Sequence, residues 1–205
     1  MRCHRDGVLP IRGVAYTLLY GFFPLDPPQI GTPLSSKKPG TRGTRVTAAE
    51  AYSAAAFADC YSRMNVLVEL APKMERSDWL TLLGEWWSGC ENVESHQGML
   101  KALLGTRGPI SEMMSAEERE RWDALSDELR CYRVCGKKYV SGPSWSLDAG
   151  VARQFPKVNP FVAEEPLLLT GSVRKETVLA VKLDRGAPEL ISFSVRPLSV
   201  HELRP

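Results

Sequence analysis

From position 130 to 146 the chain reads RCYRVCGKKYVSGPSWS, and this stretch decides how everything around it is read. Upstream, apolar residues recur at the three-to-four spacing of helices; from here on, short apolar runs alternate with turn residues, as strands do. In an extended segment over 130–135, Cys131, Arg133 and Cys135 fall on one face, with Tyr132 and Val134 on the other. Ser144 and Ser146 also share a face, and Trp145 points the opposite way. Further strands are predicted over 167–174, 178–183 and 189–195. A short helix over 146–155 lies between the first strand and the second.

Toward the N-terminus, Thr47-Ala-Ala-Glu50 is a capping box, in which the threonine hydroxyl takes an orphan amide and the glutamate reaches back to the cap. Phe57, Cys60/Tyr61, Met64 and Leu67/Val68 follow at helical spacing, and Pro72 closes the helix. A second helix over 77–90 (SDWLTLLGEWWSGC) carries Trp79, Leu82/Leu83 and Trp86 or Trp87 as an apolar stripe, which reads as core. A third is predicted over 93–104, ending at Gly105. Ser115-Ala-Glu-Glu118 is a second capping box and opens a charged helix to about residue 129. About four helices followed by a mainly antiparallel sheet with one inserted helix define an α+β protein. Its expected organisation is a disordered basic tail over 1–46, a helical region over 47–129 and a β domain over 130–205.

The tail prediction rests on residues 26–46, DPPQIGTPLSSKKPGTRGTRV, rich in Pro, Gly, Ser and Thr and without periodicity. Residues 1–46 carry seven Lys/Arg against Asp6 and Asp26, so the overall net charge of +2 leaves the remainder mildly acidic at −3. Bulk charge therefore does not argue for a nucleic-acid binder. The apolar run over 14–25 is about twelve residues, short of the ~20 that span a bilayer. It is followed by Asp26-Pro27-Pro28 where a signal peptide has a small-residue cleavage site. A cytoplasmic protein without membrane contact is expected. Five scattered cysteines, Cys3, Cys60, Cys90, Cys131 and Cys135, suggest free thiols in a reducing compartment. The histidines lie far from the Cys131/Cys135 pair, so no metal site is expected.

Three polar features stand where polarity is costly. Arg133 sits among apolar neighbours, Ser144 and Ser146 flank Trp145, and Glu189 shares its side of a strand with Ile191, Phe193 and Val195. A buried arginine or glutamate needs a partner, or a ligand in the partner's place. Singly, each has an ordinary explanation: an internal salt bridge, a turn, a solvated strand end.

Taken in order, these residues resemble the Arg–Ser–Glu arrangement of the ADP-ribosyltransferase superfamily, and within it the small phage and prophage "YRG…SWT" type. The likeness runs through Tyr132-Arg133, then Gly142-Pro143-Ser144-Trp145-Ser146-Leu147-Asp148, Ala152 and Phe155. It continues through Val178-Leu179-Ala180-Val181 and Arg185-Gly186-Ala187-Pro188-Glu189-Leu190-Ile191, and the upstream 82–92 stretch is similar to the helical region preceding such domains. The resemblance implies an NAD-binding domain that cleaves the nicotinamide–ribose bond, with Arg133, Ser144 and Glu189 as the catalytic set. Arg133 would hold the pyrophosphate through its planar, always charged fork. Ser144 would hold the active-site strand and hydrogen-bond the glutamate or ribose. Ser146 would start the helix whose Phe155 walls the nicotinamide pocket. Glu189 would stabilise the positive charge that develops on the ribose.

Two positions depart from the pattern. The glycine usual after Tyr-Arg is Val134 here, and Ala187 stands where arginine-modifying members carry a second glutamate. The expected activity is therefore an NAD-dependent ADP-ribosyltransferase or NAD glycohydrolase, with NAD as substrate, no metal, and a protein or nucleic-acid acceptor other than arginine. The competing expectation is a catalytically degenerate version of the same fold, kept as a binding or inhibitory module.

Overall fold

The computed structural model describes residues 45–91, 93–158, 166–184 and 188–203; the side chains of Lys138 and of residues 155–158 are not among those described. The tail expected over 1–46 lies outside them but for Arg45 and Val46. Val46 is tied to the body by its amide, which donates to the Lys73 carbonyl at 2.9 Å.

Both capping boxes form as the sequence dictates. Thr47 caps α1 (Ala48–Phe57) and Ser115 caps α5 (Ala116–Asp123), each with the glutamate three residues on reaching back to the cap amide. The helix expected to run from Thr47 to Pro72 is instead two, α1 and α2 (Arg63–Leu70). Asp59 breaks it, accepting from the Tyr61 and Ser62 amides at 2.8 and 2.9 Å. Arg63 secures the break by donating to the carbonyls of Ala55, Ala58 and Gly89. Phe57, assigned to the apolar stripe, is in consequence 85% exposed, while Ala51 and Ala55 supply the buried face of α1.

Helix α3 (Arg76–Trp86) buries Trp79, and Trp87 in the following turn is buried as well. A Cβ added at Gly84 would collide with the Met113 backbone, so α3 and the turn at Ser111–Met113 approach closely only because residue 84 is glycine. Helix α4 (Gln97–Leu104) follows a single 3-10 turn at Glu94–His96.

The second half is a six-stranded sheet: β1 (Glu128–Gly136), β2 (Ser144–Ser146), β3 (Pro166–Arg174), β4 (Ala180–Lys182), β5 (Glu189–Ile191) and β6 (Arg196–Glu202). The strand order is β4-β5-β2-β1-β3-β6, and every pairing is antiparallel. Helix α6 (Ala149–Val158) follows β2. The protein is thus α+β, helices first and antiparallel sheet second.

Two strand expectations need correction. The strand expected over 189–195 ends at Ile191, because the Ser192 hydroxyl turns to donate to the Thr177 carbonyl and accepts from the Ser194 amide. Strand β6 was not anticipated. It is exposed along most of its length and contains Pro197, so it shows no burial alternation; such residues are tolerated on a sheet edge.

One apolar core runs from α1 through α4 into Cys131, Cys135, Trp145, Leu167, Leu169 and Val173, and on to β4 and β5. A smaller cluster of Val134, Ala152 and Leu168 packs α6 on the other face of β1 and β3. Strand alternation accounts for the split, since Cys135 pairs with Leu167 and Val134 with Leu168. Among the cysteines, Cys90, Cys131 and Cys135 are buried, whereas Cys60 is disulfide-bonded, against the expectation of free thiols throughout. Five scattered cysteines in 205 residues argue against a disulfide framework but do not decide the state of one thiol. Among the described residues no helix is long and apolar enough to cross a membrane.

Candidate active site

Strands β1, β2 and β5 are neighbours in the middle of the sheet, and they carry Arg133, the Ser144/Ser146 pair and Glu189 respectively. Tyr132 pairs with Ser146, Ser146 with Glu189, and Glu189 with Lys182, so these four residues form one row across β1, β2, β5 and β4. Residues directly opposite one another on antiparallel strands project to the same face. Ser146 and Glu189 are therefore brought together. Glu189 is buried, at 8% exposure.

Arg133 lies one residue along β1 and projects to the other face, with Cys131 and Cys135, as alternation requires. Burial pushes the Cys135 thiol up, while the Arg133 charge and a hydrogen bond from its side chain pull the other way. The guanidinium is 8% exposed and bound on several sides. Its Nη1 donates to the Ser144 carbonyl at 2.8 Å; its Nη2 forms an ion pair with Glu94 and donates weakly to the Tyr139 carbonyl at 3.4 Å. Among the described residues Nε has no oxygen acceptor. A Cβ on Gly142 would overlap the guanidinium, so the absence of a side chain there lets the backbone close over it. The register thus links Arg133 to the Ser144 main chain and Ser146 to Glu189, while the Arg133 and Glu189 side chains leave the sheet on opposite faces.

The serines are held by different partners. The Ser144 hydroxyl accepts from the Trp87 indole at 3.1 Å. The Ser146 hydroxyl accepts from the Asp148 amide at 3.0 Å, and the Asp148 carboxylate accepts from the Val151 amide at 2.9 Å at the start of α6. The helix that carries Phe155 thus begins at Ala149 and is capped by Asp148, not by Ser146, which ends β2 and braces the cap; the Phe155 side chain is not among those described. Ala187 lies outside the described residues, and Val134 packs under α6.

Sequence reasoning missed two contributors. Trp87 was assigned to the core alone, although a buried indole N–H needs an acceptor; nothing in the sequence indicates that the acceptor is Ser144. Glu94 falls in the first turn of the helix expected over 93–104, where an acidic residue is ordinary, and so gave no signal. At the β4 end of the row, Lys182 is buried and donates to Glu118 at 2.9 Å and to the Met113 carbonyl at 3.3 Å. Glu118 also accepts from the Leu183 and Ser115 amides, which satisfies the pair. The Lys182 charge partly offsets the burial that pushes Glu85 up. Among the described residues no group of three or more His, Cys, Asp or Glu is placed to hold a metal ion.

No protein-family model, no curated protein and no solved structure matches this chain.

Proposed function

We propose that this protein binds NAD and cleaves its nicotinamide–ribose bond, as an ADP-ribosyltransferase or NAD glycohydrolase with an ADP-ribosyltransferase-like sheet. The observation that carries the reading is Ser146 directly opposite Glu189 on neighbouring strands, with Arg133 on the next strand tied to the Ser144 carbonyl from the other face of the sheet. In this reading Arg133 contacts the pyrophosphate and Ser144 holds β2 in place. Ser146 braces the Asp148 cap of α6, and Phe155 walls the nicotinamide. Glu189 sits in a buried environment, where a carboxylate acts strongly on a developing oxocarbenium charge. The chemistry needs no metal. The acceptor is a protein or nucleic-acid group, or water, in the bacterial cytoplasm. Arginine is a poor candidate because a guanidinium with pKa above ~12 must lose a proton to attack, and Ala187 cannot assist as a base.

One observation favours a second reading, a degenerate binding module. The charge of Arg133 is already matched inside the chain by Glu94. The deciding experiment incubates purified full-length protein with NAD labelled in its adenylate half, with and without cell lysate. Nicotinamide release or labelling of a macromolecule supports the enzyme; neither, at high protein concentration, leaves the binding module.

A further inference from the structure

We propose that Glu94 is a built-in competitor at an oxyanion site on Arg133, holding the guanidinium in the unliganded protein and yielding it to a phosphate-class ligand. The inference rests on reading Arg133 as the phosphate holder.

A guanidinium offers five N–H donors, and its Nε and Nη2 edge suits two oxygens of one oxyanion side by side. Here Glu94 engages that edge through Nη2 only, and among the described residues Nε–H has no oxygen acceptor although the residue is nine-tenths buried. The neighbouring Cys135 thiol takes a hydrogen bond from the guanidinium, but sulfur is a weak acceptor. A buried donor left unmade is costly, so an anion that spans the whole edge has an advantage over the carboxylate now there.

The two partners are held unequally. Arg133 is fixed by the Ser144 and Tyr139 carbonyls and by the close backbone of Gly142. The Glu94 side chain is 27% exposed, and among the described residues its carboxylate bonds Arg133 alone. Rotation of one glutamate side chain toward solvent uncovers the edge without moving β1. The turn that carries Glu94 is docked to the β1–β2 connection by the Gln97 amide, which donates to the Ser141 hydroxyl at 3.0 Å. Glu94 therefore stays near the site after giving way, and can return when the ligand leaves.

The test titrates inorganic pyrophosphate into the full-length wild type, Glu94→Gln, Glu94→Asp and the Glu94→Gln/Arg133→Lys double variant, by calorimetry. Glu94→Gln removes the competing charge and is expected to bind ~10-fold tighter than wild type; the double variant loses that gain. Glu94→Asp keeps the charge but is one methylene shorter. It is expected to gain ~3-fold, and it stands in if Glu94→Gln does not fold. Equal or weaker binding by the folded Glu94 variants, or a gain that survives in the double variant, overturns the proposal. NAD cleavage measured on the same samples separates this inference from the proposed function. A pyrophosphate gain without any cleavage supports Glu94 as competitor and removes the enzyme reading. Cleavage by the wild type with no gain in Glu94→Gln overturns the competitor alone.

Discussion

Across the β2–β5 pair, Ser146 stands directly opposite Glu189, and the carboxylate of Glu189 is buried in the middle of the sheet. If Glu189 stabilises charge on the ribose, its effect appears in the transition state and little in binding. Glu189→Gln preserves volume and removes that charge. It is expected to leave the fold and NAD affinity intact while reducing nicotinamide release at least ~100-fold, roughly 3 kcal/mol. Single-turnover release, alongside NAD titration of the same protein, checks both halves. Undiminished turnover by the folded variant would remove Glu189 from the mechanism.

Gly142 and Arg133 make a second, independent test. An alanine at 142 has no room, because its Cβ overlaps the guanidinium that donates to the Ser144 carbonyl. Gly142→Ala is therefore expected to cost about 1–3 kcal/mol by overpacking and to displace Arg133 from its fixed position, with weaker NAD binding as a result. Thermal melting reads the first effect and titration the second. A variant with wild-type melting and affinity would show that the backbone at Gly142 yields freely.

How far the sequence could be read depends on how local the cause is. The caps at Thr47 and Ser115 are written within four residues and form as expected. So do β1 and β3, whose apolar runs exceed the turn signals around them. The break at Asp59 was missed because it depends on Arg63 gathering carbonyls from as far away as Gly89. Strand β6 was missed because an edge exposed on both sides leaves no period to detect. At the site, the faces of Arg133 and of the serines followed from alternation alone. The partners Glu94 and Trp87 could not be found that way, since they arrive from the helical half at sequence separations of 39 and 57.

Lys182 and Glu118 were also invisible in the sequence, and they join α5 to β4 through a fully buried pair. Removing one partner strands the other charge away from water. Lys182→Met is expected to destabilise the protein by about 3 kcal/mol, seen as a lower urea midpoint with an unchanged slope. The Glu118→Gln/Lys182→Met double variant should recover part of that loss, because no charge is left unpaired. If the single variant unfolds at the wild-type midpoint, the pair contributes no net stability.

The last expectation concerns pH. Burial pushes the Cys131 thiol up to about 12, and Cys135 is raised for the same reason. The folded state holds both as neutral thiols, whereas the unfolded chain ionises them near ~8.5. A raised folded pKa gives stability that is fully present below the unfolded value and lost as pH rises toward the folded one. Unfolding free energy should thus fall above about pH 8.5, by up to about 1.4 kcal/mol per pH unit for each thiol. Urea unfolding at pH 8 and at pH 10.5 tests this in wild type and Cys131→Ala. The alanine variant should be weaker at pH 8, through its lost packing, yet lose less on going to pH 10.5. Parallel losses in the two proteins would mean that Cys131 ionises in the folded state as readily as in the unfolded one, in conflict with its complete burial against the helical core.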